Sequence, residues 1–429
     1  MYDEQALPGP DSEGTPIGCG PILPGIGKET KPLRQQVFEH VRAAGRAARA
    51  DVTRALGISA GSVTTLTSDL IGVGLLREVE GGSERARDSG RGRPPVALEV
   101  VSETRHVIGI KLSDERHSAV LTDFAGNMLA DATLPTPPYR KTLDQILDEM
   151  AELIGTLLRS ANRPIADVTA VGIGLSGLVD HQTGTIPWSP LLADRDTPLK
   201  AAFEARFGLP VHIDNDANVL TLAELWFGAG RAMSDFVVVT IEHGVGMGLV
   251  LNNRLFRGTR GMGLELGHTK VQLDGALCRC GQRGCLEAYL ADYALAREAS
   301  TALGRNARNL QSPQAMLETL FGEAKAGNQA ARTIFRRAGR YLSVGLSNVI
   351  QLFDPELIIL SGERMRYDYL YAEEVLAEMR MLTLSDGRTP CKVEIHAWGD
   401  LVWAQGATAL ALSAVTDAVL GAGLAGLAA

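Results

Sequence analysis

From Arg105 onward the same order of strand-like and helix-like segments occurs twice, and no other feature restricts the fold as much. "RHVIGIKL", "HSAVLTDF" and "NMLADATL" are three strand patterns with hairpin breaks, the last following the turn residues Gly126 and Asn127. A helical pattern, "KTLDQILDEMAELIGTLLRSA", and a buried strand, "VTAVGIGLSG", come next. At Phe236 the order restarts with "FVVVTI", "GMGLVLNN" and "RLFRG" before helical stretches. The late helix "ARTIFRRAGRYLSVGLSNVIQLF" runs into Asp354-Pro355 and the strand "ELIILSG". Three antiparallel strands followed by helices and parallel strands, met twice, predict a duplicated α/β domain with a cleft between its halves. Ligands of such sheets sit at strand C-terminal ends and at domain interfaces.

A chain of 429 residues has room for more than this body. Three divisions are expected: a lead-in over 1–30, a small module over 31–100, and the duplicated body over 101–429. The lead-in is rich in Gly and Pro without periodicity and reads as disordered. Its first residues carry acids where a secretory signal carries base and then an apolar run. The end of the chain, "LVWAQGATALALSAVTDAVLGAGLAGLAA", is mostly Ala and Gly and is broken by Asp417, so a packed helix with a frayed tail is expected rather than a membrane span. Three of the five cysteines are clustered, which fits a cytoplasmic protein holding a metal better than a disulfide framework. Cys19 and Cys391 lie apart and are read as ordinary free thiols.

Residues 31–100 break into three short helical patterns and a hairpin. Val37, Phe38 and Val41 share a face of the first helix, which Gly45 ends. The second carries Val52 and Leu56, and the turn Gly57-Ile58-Ser59 leads into the third with Ser59 as N-cap. There Val63, Leu66 and Leu70 are expected to face inward, leaving Ala60, Gly61, Ser62, Thr64, Thr65 and Ser68 outward. Helix, short turn, helix is the layout in which a second helix enters the major groove, and Ser59, Ser62, Thr64 and Thr65 are the candidate DNA contacts. "LLREVEGGSERARDSGRGRPPVALEVV" reads as a two-stranded wing, with Arg91 and Arg93 placed for a narrow minor groove. The segment holds eleven Lys/Arg against eight Asp/Glu in a chain of net charge −8, so one DNA-facing module on an acidic body is allowed. The same patterns also occur in protein–protein modules and solvated linkers, and the third helix has no Arg or Lys to assign a base.

His268-x9-Cys278-x-Cys280-x4-Cys285 offers one imidazole and three thiolates, a set suited to tetrahedral Zn2+. Four protein ligands leave no open position for water, which makes the site structural. Gly281 and Gly284 stand where the backbone folds back. The alternative is a set of buried thiols without metal.

These residues carry a resemblance. Cys278-x-Cys280-Gly281-x-x-Gly284-Cys285-x-Glu287, preceded by Glu265-Leu266-Gly267-His268, together with Asn215-Asp216-Ala217-Asn218 and "GLSGLVD" at 174–180, resembles the ROK family of repressors, open reading frames and kinases, over residues 32–415. The winged helix-turn-helix in front is similar to that of the family's repressor branch. The resemblance implies an actin-like or ribonuclease-H-like, two-lobed sugar-kinase fold. It further implies that His268 is both zinc ligand and sugar contact, and that Glu265, Glu287, Asn215 and Asp216 bind sugar hydroxyls, each of which donates and accepts.

In the kinases of this family, Asp216 would be the base drawing a proton from the attacking hydroxyl. The family's first phosphate loop, Asp-x-Gly-Gly-Thr-Lys, is Lys111-Leu112-Ser113-Asp114-Glu115-Arg116 here, with both glycines gone and two acids gained. The second, Gly-Thr-Gly-x-Gly-x-Gly, is Glu242-His243-Gly244-Val245-Gly246-Met247-Gly248. Leu191 stands where the family commonly has an Asn reaching the sugar. The expectation is a sugar-responsive repressor without enzymatic activity, a homodimer or homotetramer on a palindromic double-stranded operator, in which sugar shifts lobe closure and zinc fixes His268 and Glu287. The rivals are a sugar kinase with a regulatory head, favoured by Asp216, and a DNA-binding protein without a small ligand, favoured by Leu191.

Overall fold

The computed structural model describes residues 18–22, 31–80, 96–302, 313–362, 365, 373–384, 386–387 and 389–421. These fall into two compact units. The smaller gathers Asp235–Leu249 and Gly263–Gly399; the larger gathers the described residues up to Ser234, with Val250–Met262 and those from Asp400 on.

The larger unit opens with α1 (Leu33–Ala44), β1 (Arg46–Ala48), α2 (Arg49–Leu56), α3 (Ala60–Gly72), β2 (Leu76–Glu80) and β3 (Val96–Val100). Val37, Phe38, Val41, Val52, Val63 and Leu70 form its core, as their helical spacing predicts. Gly45 ends α1 at φ 71°, and Ser59 caps α3 by accepting the Ser62 amide at 3.1 Å. Leu66 departs from expectation. It is half-buried, while Thr67 is fully buried and accepts a hydrogen bond from Arg49 Nε at 3.0 Å. Val63, Thr67 and Leu70 lie at the i, i+4, i+7 spacing of one stripe, and Leu66 falls on its margin. The wing is three-stranded, ordered β1-β3-β2, because Arg46–Ala48 adds an antiparallel edge to the hairpin. Its tip, with Arg91 and Arg93, lies outside the described residues.

The reading of 1–30 as disordered is corrected for residues 18–22. They form a strap: the Cys19 amide donates to Arg42 O, the Gly20 amide to Trp226 O and the Ile22 amide to Arg231 O. Cys19 is 2% exposed.

The first sheet comprises β4 (His106–Leu112), β5 (Arg116–Asp123), β6 (Met128–Pro135), β7 (Val168–Leu175) and β10 (Val211–Asn215), in the order β10-β7-β4-β5-β6. β4, β5 and β6 are antiparallel neighbours, and β7 and β10 run parallel to β4. Between them lie α4 (Leu143–Ser160), the small pair β8 (Leu178–Asp180) and β9 (Thr185–Trp188), and α5 (Leu199–Phe207); α6 (Asp216–Phe227) follows. A Thr142/Gln145 capping box starts α4, whose buried face joins Ile108, Ile110, Val171 and Ile173 in one core.

The second sheet has β11 (Phe236–Ile241), β12 (Val245–Leu251), β13 (Arg254–Phe256), β14 (Leu357–Ser361) and β15 (Lys392–His396), ordered β13-β12-β11-β14-β15. This is the strand order of the first sheet repeated, so the duplication legible in the sequence is present in the fold. Its helices are α7 (Glu287–Leu290), α8 (Asp292–Ala302), α9 (Pro313–Lys325), α10 (Gln329–Phe353) and α11 (Glu373–Leu382). The last helix, α12 (Val402–Gly421), packs in the larger unit against β4, β7, α6 and α1. That approach needs glycine, since a Cβ on Gly109 would stand 2.0 Å from Ala404 O and one on Gly172 1.9 Å from Ala407 O. Among the described residues no helix is long and apolar enough to cross a membrane.

Candidate functional site: a thiol and imidazole knuckle beside a carboxylate

In the smaller unit the chain from His268 to Glu287 folds back on itself through isolated bridges, Lys270 with Cys285 and Leu277 with Arg283. Gly281 and Gly284 adopt φ of 87° and 76°, where glycine carries no Cβ penalty. At Gly284 a Cβ would also collide with Gln272 O. Tyr289 OH accepts the Ala276 amide at 2.8 Å and its ring stacks on Tyr341 at 3.8 Å, fixing the back of the knuckle.

The folding back gathers His268, Cys278, Cys280 and Cys285, with one ligand atom of each within 4.8 Å of every other. Cys278 Sγ is 3.8 Å from His268 Nδ1, and the sulfurs of Cys280 and Cys285 are 3.7 Å apart. Two sulfurs bound to one tetrahedral ion at about 2.3 Å are about 3.8 Å apart, so the set fits such an ion. Burial pushes the Cys278 thiol above its usual value. Cys19 and Cys391 are free thiols, as expected.

Glu287 opens α7 two residues past the last cysteine. Its Oε1 lies 3.4 Å from Cys278 Sγ and 3.3 Å from Tyr293 OH. His268 and Glu287 therefore flank Cys278, an adjacency the spacing did not reveal. Gly244, on the β11–β12 loop, lets the backbone pass close by: a Cβ there would stand 3.0 Å from Glu287 Oε2. Glu265 is exposed, and Leu264 before it holds φ 70°, a strained value for a leucine.

Asn215 and Asp216 lie in the larger unit, at the junction of β10 and α6. Asn215 Oδ1 caps α6 by accepting the Asn218 amide at 2.7 Å, which leaves its amide nitrogen for other partners. Asp216 accepts the Ser176 hydroxyl at 2.6 Å and the Ala217 amide at 2.9 Å. Ser176 sits inside "GLSGLVD", yet nothing in the sequence alone pairs it with Asp216. Buried Asp214 is held by Asn218 Nδ2 and Arg257 Nε, both at 2.6 Å. Leu191 is buried, consistent with an apolar substitution at its place.

The β4–β5 turn, where the family's first phosphate loop would be, is closed on itself. The Ser113 amide donates to His117 Nδ1 at 3.1 Å, and its hydroxyl donates to Arg116 O at 2.7 Å. His117 Nε2 is 2.8 Å from Glu149 on α4, and Lys111 Nζ lies over the Trp403 ring at 3.5 Å. In the second loop the Glu242 amide donates to Gly244 O, and His243 pairs with Asp292 at 3.2 Å.

At the start of α3, the N-cap Ser59 and the helical residues Ser62, Thr64 and Thr65 are all exposed. The threonine hydroxyls donate back to Ala60 O and Gly61 O, which turns their lone pairs and methyl groups outward.

Two sheets of one order, with this knuckle in the second repeat, define a duplicated body of sugar-kinase type. The chain matches the ROK family over residues 107–414 and belongs to it. It is 25% identical over 370 residues to the xylose repressor of Caldicellulosiruptor bescii, covering 85% of this chain and 91% of the relative. To the DNA-binding transcriptional dual regulator NagC of Escherichia coli K12 it is 29% identical over 389 residues, covering 90% and 93%. A solved ROK family transcriptional regulator, a homolog of the E. coli MLC protein, superposes with a TM-score of 0.74 at 25% identity over 90% of this chain and 96% of that one. A Streptomyces griseus ROK glucokinase solved with glucose and AMPPNP gives 0.60 at 30% identity over 70% and 97%. The fold is the two-lobed ROK fold behind N-terminal helices.

Proposed function

We propose that this chain is a sugar-responsive transcriptional repressor that works in the cytoplasm and has no kinase activity. Asn215, Asp216, Glu265, His268 and Glu287 contact the sugar. Ser59, the N-cap of α3, and the α3 residues Ser62, Thr64 and Thr65 meet operator DNA, and Arg91 and Arg93 follow in the minor groove. Copies act as a homo-oligomer whose heads occupy half-sites about one helical turn apart. Zn2+ held by His268, Cys278, Cys280 and Cys285 is structural: it keeps His268 and Glu287 in place and takes no part in a reaction.

The observation that carries this reading is the closed β4–β5 turn. Phosphoryl transfer depends mainly on cradling and neutralising phosphates. Here the Ser113 amide is spent on His117, and Asp114 and Glu115 stand where an anion would sit. The repressor and regulator relatives, which span the head as well as the body, support the same reading.

The kinase rival keeps one specific observation, since Asp216 is present at the head of α6. Calorimetric titration with D-xylose, N-acetyl-D-glucosamine, D-glucose and ATP separates the possibilities. Heat from a sugar without heat from ATP is expected. Heat from both, with phosphorylated sugar formed at an ordinary enzymatic rate, overturns the reading in favour of the kinase. No heat from any sugar leaves a DNA-binding protein without a small ligand.

A further inference from the structure

Three thiolates and a divalent cation with a neutral imidazole carry one net negative charge. Cys280 is exposed and passes its share to water, but Cys278 and Cys285 are 3% and 0% exposed. A buried net anion is costly unless a cation or strong donor stands beside it. Cys285 has a cation beside it, whereas Cys278 has only a hydroxyl that it shares with the Glu287 carboxylate, 3.4 Å from its sulfur. Tyr293 OH is 3.5 Å from Cys278 Sγ, and Lys270 Nζ is 2.9 Å from Cys285 Sγ.

Lys270 is placed there by the backbone, since its bridge with Cys285 sets the two residues side by side across the knuckle. The ammonium makes a second bond to His268 O at 3.3 Å, so it touches two residues of the ligand set at once. The residue is otherwise exposed. A solvated lysine gains little by folding back on a neutral thiol, which is a weak acceptor, and much by meeting a thiolate. An ammonium has no lone pair, so Lys270 is not itself a ligand.

We propose that Lys270 is the charge-balancing partner of the knuckle, and that its ammonium over Cys285 sets how tightly the metal is held. The proposal rests on the reading of His268, Cys278, Cys280 and Cys285 as a zinc site. It makes Lys270 a positioning residue for the metal, separate from sugar and DNA contacts.

The test uses the full chain as wild type, Lys270→Met and Lys270→Arg, each titrated for Zn2+ against a chromophoric chelator. Met matches the length of the stem without the charge, and Arg restores the charge. Lys270→Met is expected to weaken Zn2+ binding by about 10- to 100-fold, the range usual for loss of a group supporting a metal ligand. Lys270→Arg is expected to recover most of the loss. At saturating Co2+ all three proteins should show the same thiolate-to-metal absorption, which marks an unchanged ligand set. Zn2+ affinity in Lys270→Met within twofold of wild type overturns the proposal and leaves the zinc site standing. So does a Lys270→Arg protein as weak as Lys270→Met, because the charge would then not be the cause. If the wild type takes up neither metal, the zinc reading and the proposal fall together.

Discussion

The Arg42 guanidinium lies 4.6 Å from the centre of the Trp226 ring and joins the last turn of α1 to the last turn of α6. Both residues are buried, at 3% and 5% exposure, and Arg42 Nη1 also donates to Thr416 Oγ1 at 2.9 Å on α12. The N-terminal head is thus anchored on the helix whose other end begins at Asp216. Trp226→Ala should lower the unfolding free energy of the larger unit by about 3–5 kcal/mol, the range for deleting a large buried aromatic. Arg42→Met should cost less, because it removes the burial of a cation together with its contacts. Urea unfolding of the two variants checks the order; equal losses would contradict this account of the joint.

Metal removal should act on one unit. All four proposed ligand residues lie in the smaller unit, in a segment rich in turns whose own apolar cluster is small. Treatment with a strong chelator, or Cys280→Ser, should lower the unfolding temperature of the smaller unit and leave the transition of the larger unit in place. Calorimetric scans with and without added Zn2+ read both transitions, and an identical pair of scans would remove the structural role.

From Ala60 to Ser68 the exposed side chains of α3 are small and uncharged, and the exposed acid Asp69 follows them, so the fit of the first turns to DNA depends on close approach. Thr65→Asp places an anion on that face and should weaken binding to DNA fragments selected by the wild type at least tenfold, or about 1.4 kcal/mol. Fluorescence anisotropy at two salt concentrations measures it. Unchanged affinity would move the contact surface away from α3.

Five of the eight histidines, His40, His106, His117, His181 and His212, have pKa values lowered chiefly by burial, and all five lie in the larger unit. A lowered folded value means that the unfolded chain takes up protons first. Their contribution to stability is complete above the unfolded value of about 6.5 and is lost as pH falls from there through the folded values. His117 shows why: Glu149 and Lys141 face it, and its Nδ1 already accepts the Ser113 amide, so a second proton breaks that bond. Urea unfolding at pH 7.5 and 5.5 should show a less stable larger unit at the lower pH, with a smaller difference in His117→Gln. A flat profile in the wild type would count against buried neutral histidines.

The repeated sheets were legible because period-2 patterning and turn residues operate within a few positions, as in 106–135 and 236–256. The knuckle was legible because its ligands are close in sequence. What depends on distant partners was not. The three-residue β1 has no pattern of its own and exists because β3 offers an edge. The strap at 18–22 carries no periodicity, and its hydrogen bonds go to Arg42, Trp226 and Arg231. Arg42, like Gln35, is a polar residue buried on α1, and Phe38, Phe124, Trp226 and Thr416 explain its burial. Tyr293 and Lys270 acquire meaning only once the sulfurs beside them are located.

The placement of α12 governs when the larger unit can be completed. Residues 402–421 fill a surface bounded by β4, β7, α6 and α1, all of which are synthesised earlier. While the ribosome is still translating the second sheet, the glycines of β4 and β7 face a vacant furrow and Arg42 lacks Thr416. The larger unit is completed only after α12 emerges, so a chain cut short before Val402 leaves the head on α6 alone, without the support that α12 gives it.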